Sequence, residues 1–116
     1  MRYIKIALLI ITLATIALAA THGNNLTWTP STSSGVTSQL VCRGTTAGSE
    51  NCAAPIATIP NNTTTTFLDS TGTAGTTYFY VVEACAGTVC SVPSNEVNAV
   101  FPIVPNPPTN LGVAQQ

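Results

Sequence analysis

The sequence predicts an all-β sandwich or barrel. Beyond an apolar leader, no stretch repeats its apolar residues at helical spacing. Short runs rich in Thr, Val, Ile, Tyr and Phe instead alternate with clusters of Gly, Pro, Asn and Ser, the pattern of many short strands joined by turns. The part left after the leader is also small, large enough for one modest core, and four cysteines stand ready to brace it.

The leader itself is Met1 to Lys5, short and basic, followed by an apolar run from Ile6 to Ala20. This is the layout of a secretory signal peptide. Ala17-Leu18-Ala19 supplies a small-x-small cleavage site, which assigns residues 1–19 to the signal and starts the mature chain at Ala20; Leu18-Ala19-Ala20 would serve as well. The run is shorter than the roughly 20 apolar residues a spanning helix needs, and no stop-transfer charges follow, so no membrane attachment is expected after cleavage. Cleavage removes Arg2 and Lys5, leaving Arg43 against Glu50, Asp69, Glu83 and Glu96, a net charge of 1 − 4 = −3. Without a basic patch, the electrostatic term that dominates nucleic-acid binding is missing, and nucleic acid is excluded as a partner.

Taken in order, the strands begin with Asn25 to Thr29, where Leu26 and Trp28 share a face and Pro30 ends the run. Gln39 to Arg43 is next, closed by Gly44. Ile56 to Ile59 and Thr63 to Phe67 follow, separated by Pro60-Asn61-Asn62. Thr77 to Cys85 is the longest run, with Tyr78, Tyr80, Val82 and Ala84 on one side. A turn at residues 86–89 reverses the chain, and Glu96 to Phe101 returns as the last strand. The core expected from this alternation is Leu26, Trp28, Val41, Phe67, Tyr78, Tyr80 and Val82. A rival role for Trp28, as a sugar-stacking platform, is outweighed by its place in an alternating strand.

Leu26-Thr-Trp-Thr-Pro30, Arg43-Gly-Thr-Thr46, Ala74-Gly-Thr-Thr-Tyr-Phe-Tyr-Val-Val82 and Pro93-Ser-Asn-Glu-Val97 occur in series. Together they resemble a bacterial-type fibronectin type III domain, and the resemblance runs from Leu26 to Val100. It implies an immunoglobulin-like sandwich of two facing sheets over residues 20–101, with the runs above as the family's strands B, C, C′, E, F and G. It also makes Tyr78 similar to the tyrosine-corner residue, whose hydroxyl ties back to nearby backbone. Gly72 departs from the family, which usually carries an aliphatic residue there; Leu68 is the candidate to fill that space, or the corner is looser.

An even set of cysteines in an exported chain argues for two disulfides rather than zinc. Cys85 lies out of phase with Tyr80 and Val82 and should face outward, with Cys90 across the same hairpin. Local pairing, Cys85 to Cys90 and Cys42 to Cys52, is therefore expected, with Cys42 to Cys85 as the rival. No catalytic, cofactor or metal constellation can be assembled. His22 is the only histidine and stands beside the cleavage site, outside the expected fold, and the carboxylates are scattered singly. Asn25-Leu-Thr27 and the Asn61-Asn62 stretch match glycan-acceptor triplets but read as strand and turn residues. A non-enzymatic protein needing no cofactor is expected.

Residues 102–116 form a proline-rich linker and tail, and Pro107-Pro108-Thr109-Asn110-Leu111-Gly112-Val113 resembles the family's strand A with the linker that precedes it in tandem repeats. Before Leu26, only Ala20 to Asn25 remain after cleavage, too short and too rich in Gly and Asn to supply that strand. Returning the tail to its own domain would recover a strand length of about 20–30 Å. The connector Pro102 to Asn106 spans at most about 17 Å. The expectation is a secreted, extracellular or cell-surface structural subunit that gives its tail to the next copy as strand A, building a head-to-tail homopolymer. The alternative is a monomeric adhesion module with a disordered tail, binding a surface glycan or protein.

Overall fold

The computed structural model describes residues 21–116; the leader assigned to residues 1–19 lies outside them. Seven strands and no helix appear in this part: β1 (Asn24–Thr27), β2 (Ser38–Gly44), β3 (Ala57–Ile59), β4 (Thr66–Asp69), β5 (Thr77–Ala86), β6 (Val89–Cys90) and β7 (Val97–Val100). They form two antiparallel sheets. One contains β1 and β4; the other runs β3-β2-β5, with β6 and β7 both pairing with β5.

The register places the inward residues. Arg43 pairs with Tyr80, Val41 with Val82 and Gln39 with Ala84, so these six point to one side of the larger sheet. Leu26 pairs with Phe67, and Asn24 with Asp69, on the smaller sheet. Side chains then join the layers: Asn24 Nδ2 donates to the Tyr80 hydroxyl at 3.0 Å, and Trp28 Nε1 donates to Gln39 Oε1 at 2.7 Å. These two bonds also fix the direction of β1, which rises from the level of Tyr80 to that of Gln39 and Ala84.

At the pole where β1 starts, Tyr78, Tyr80 and Phe101 form the buried aromatic cluster, with Leu26 and Ile56 against it. Phe101 is 2 % exposed, a correction to its expected place outside the core. Its ring occupies the space beside Gly72, where a Cβ would collide with it. Phe101 therefore fills the gap foreseen for Leu68, which is 38 % exposed on the opposite face of β4. His22 is exposed, yet its ring meets Phe101 edge-on at 6.1 Å, so it packs on the fold instead of lying outside it.

The Thr63 to Phe67 run is also corrected: β4 begins only at Thr66. Asn61 Oδ1 accepts from the backbone N–H groups of Thr63 and Thr64, holding both in an Asx-type turn that competes with strand pairing. Local disulfide pairing is borne out, with Cys42–Cys52 and Cys85–Cys90. Cys85 does lie on the face opposite Tyr80 but is only 2 % exposed; outward phase did not mean solvent exposure.

Candidate functional site: an open groove beside the first strand

The groove follows from an unfilled place in the sandwich. Among the described residues β1 has one neighbour, β4, and no strand lies along its other edge. Trp28 N–H bonds to Thr65 C=O. Because antiparallel partners alternate in the direction of their bonds, the N–H and C=O groups of Asn25 and Thr27 point to the free edge. Opposite this edge stands β7, whose Val97 pairs with Tyr80 and faces the same interior. Val97 is nonetheless 48 % exposed.

Between the two lies a groove of about 510 Å³, with Leu26 and Trp28 on one wall, Tyr80 and Val82 on its floor, and Val97 and Ser94 on the other wall. A smaller hollow of about 180 Å³ shares Trp28, Val82 and Ser94 and prolongs it toward Ala84 and Ser91. The wall opposite β1 is held without a continuous strand. Ser94 N–H donates to Val82 C=O, and the Ser94 and Ser91 hydroxyls accept from Val82 and Ala84 N–H. The serines satisfy backbone donors of β5 where Pro93, lacking an N–H, interrupts pairing.

Of the expected core, Val41, Tyr78 and Tyr80 are buried, while Leu26, Trp28, Phe67 and Val82 are only half-buried. For Leu26, Trp28 and Val82 the reason is the groove, which they line. Trp28 is held by its bond to Gln39, whose amide donates in turn to Asn61 C=O and Thr64 C=O.

Below the groove, Asp69 anchors a polar bridge between the sheets. Its Oδ2 accepts from Arg43 Nη1 at 2.8 Å and the Tyr80 hydroxyl at 2.7 Å, and its Oδ1 accepts from Thr71 N–H and hydroxyl. Burial alone pushes the Asp69 carboxyl up, but the bonds from Tyr80, Arg43 and Thr71 offset it, and the carboxyl sits below its ordinary value. Burial, opposed by Asn24 and reinforced by Asp69, pushes the Tyr80 hydroxyl up to about 12. Arg43 also lies 4.4 Å over the Tyr78 ring, and the Tyr78 hydroxyl accepts from Thr73 N–H at 2.9 Å, the tie back to upstream backbone.

The tail residues Pro107 to Val113 form no strand, and Leu111 and Val113 are exposed. Asn110 has φ of 57°, in the left-handed region, so the segment bends there. Sequence reasoning missed Ser91, Ser94 and Val97 as groove residues; the Pro93 interruption was the available signal. Among the described residues no group of three or more His, Cys, Asp or Glu is placed to hold a metal. No family model matches the chain, and no match emerges among curated proteins or solved structures.

Proposed function

We propose that this protein is a secreted, non-enzymatic structural subunit whose groove accepts the tail of another copy, giving a head-to-tail filament. The carrying observation is a match of shapes. The groove offers two apolar positions two residues apart, Leu26 and Trp28, beside backbone groups that no other described residue pairs with, and the exposed tail presents Leu111 and Val113 at the same spacing. An extended segment entering it would bond to the free edge of β1 and bury those side chains, as in β-strand addition.

The fibronectin type III resemblance points the same way. Its first strand lies beside the strand that β1 corresponds to, and the sheet order β1-β4 and β3-β2-β5-β7 suits that arrangement with no first strand among the described residues. Both disulfides suit an oxidising, extracellular setting. The chain expected after cleavage carries no lysine, and its tail no charged side chain, which suits a partner bound through backbone and apolar contacts rather than charge.

The test is to export the full chain through an oxidising compartment, beside a Leu111→Asp/Val113→Asp variant, and examine both by light scattering and electron microscopy. The parent chain is expected to give filaments and the variant monomers. A parent that stays monomeric at high concentration overturns the reading and leaves the monomeric adhesion module in its place.

A further inference from the structure

We infer that the donated segment runs antiparallel to β1 in a single register, Leu111 opposite Trp28 and Val113 opposite Leu26; this rests on the donor-strand reading above. Three arguments fix it. The first is side-chain phase. Leu26 and Trp28 face the groove, so the donor residues paired with them must be its apolar ones. Moving an antiparallel donor by two residues one way sets Val113 opposite Asn24, which is buried in its bond to Tyr80. Moving it the other way sets Gln115 opposite Leu26, an amide against an apolar wall.

Direction is the second argument, because a parallel donor with Leu111 on Leu26 and Val113 on Trp28 would satisfy phase equally well. The chain leaves the sandwich at Phe101, whose N–H bonds to Thr76 C=O and whose C=O accepts from Gly75 N–H. This is the pole where β1 begins, since His22 packs on Phe101. A tail returning to its own groove would therefore have to enter from that pole and run parallel to β1. Ile103 instead lies against Gly75 at the corner between β4 and β5, and Pro102, Pro105, Pro107 and Pro108 stiffen the connector as it departs. A second copy stacked pole to pole receives the segment at the opposite pole, where antiparallel entry is the natural direction. Antiparallel pairing is also slightly more stable per residue.

Backbone chemistry supplies the third argument. In this register Thr27 opposes Gly112 and Asn25 opposes Ala114, so the free groups of Asn25 and Thr27 meet residues that all carry an N–H. Pro108, which cannot donate, falls opposite Ser31, beyond the strand. Asn110 leaves its left-handed conformation for the extended one, which asparagine adopts without strain.

The experiment uses two double variants of the full exported chain, Asn25→Cys/Ala114→Cys and Asn25→Cys/Asn110→Cys. Opposed residues of an antiparallel pair lie about 5.5 Å apart, within disulfide reach. The first variant is expected to give a ladder of cross-linked species on non-reducing gels, and the second none, with mass spectrometry assigning the new bridge and electron microscopy scoring filaments. A ladder from the second variant alone means a parallel donor and overturns the register while leaving strand exchange standing. Filaments with no cross-link in either variant do the same. A cross-linked monomer means self-insertion, and monomers without cross-links mean no exchange; both overturn this inference and the proposed function together.

Discussion

At the scale of single residues, the two sheets are joined by few groups with steep requirements. Asp69 is 1 % exposed and bridges Arg43, Tyr80 and Thr71. Removing the Asp69 charge leaves the part-buried Arg43 without its counter-ion and weakens the acceptor for the Tyr80 and Thr71 donors. Asp69→Asn is expected to cost about 3 kcal/mol by denaturant unfolding, far more than an exposed carboxylate. The pH dependence has a definite sign at each end. Because the folded Asp69 value is depressed, its contribution is present above the unfolded value of about 3.9 and is lost as pH falls through the folded one. Tyr80 is raised to about 12, so its contribution is complete below about pH 10 and is lost as pH rises toward 12. Thermal melts across pH should show Tyr80→Phe removing the alkaline loss between these values while lowering stability at neutral pH by about 1–3 kcal/mol, since Asn24 and Asp69 each lose a partner. Gly72 and Phe101 make a second pair of this kind. Gly72→Ala forces the buried ring aside and should cost about 1–3 kcal/mol. Phe101→Leu should soften that cost, so a double-mutant cycle is expected to show coupling.

Among the elements, β1, β2 and β5 were the most legible in the sequence, because each is a run of strand-forming residues bounded by a turn residue, and strand alternation assigns its two faces. The cysteine bridges followed from that alternation together with hairpin proximity. Cys85 and Cys90 are register partners, and Cys42–Cys52 closes a segment of sequence separation 10. That second bridge secures the loop whose Gly48 N–H donates to Glu96 at 2.7 Å, beside the start of β7. Cys42→Ser/Cys52→Ser should therefore lower stability by about 2–3 kcal/mol and speed hydrogen exchange at Gly48 more than at the Cys85–Cys90 hairpin. What alternation did not reveal depends on contacts distant along the chain. Phe101 is buried because Gly72, 29 positions earlier, leaves room for it, and nothing near Phe101 signals that. β4 starts late because the Asn61 side chain captures two N–H groups first. The groove was half legible: the want of a strand beside Leu26 was expected from the sequence, but its far wall is made by Ser91, Ser94 and Val97, whose placement requires the path of the chain around Pro93.

For the whole molecule, the open groove makes stability and assembly one question. A sandwich with Leu26, Trp28, Val82 and Val97 incompletely covered holds back part of the apolar burial that would stabilise it. Any ligand that binds the folded form alone adds to stability by mass action, about 2.7 kcal/mol when present at 100 times its Kd. If the groove takes the tail, a peptide of residues 105–116 supplied in trans should raise the melting temperature of the Leu111→Asp/Val113→Asp chain, whose own tail cannot compete. For a domain this size that energy corresponds to a rise of roughly 10 °C or more, increasing with peptide concentration. The peptide should also protect the amide protons of Asn25 and Thr27 from exchange, since these face the free edge. A peptide carrying the same two aspartates should do neither, although its prolines and length are unchanged. A rise in melting temperature without protection at Asn25 and Thr27 would place the peptide elsewhere on the surface, because a strand in the groove cannot bury Leu111 and Val113 without pairing with that edge.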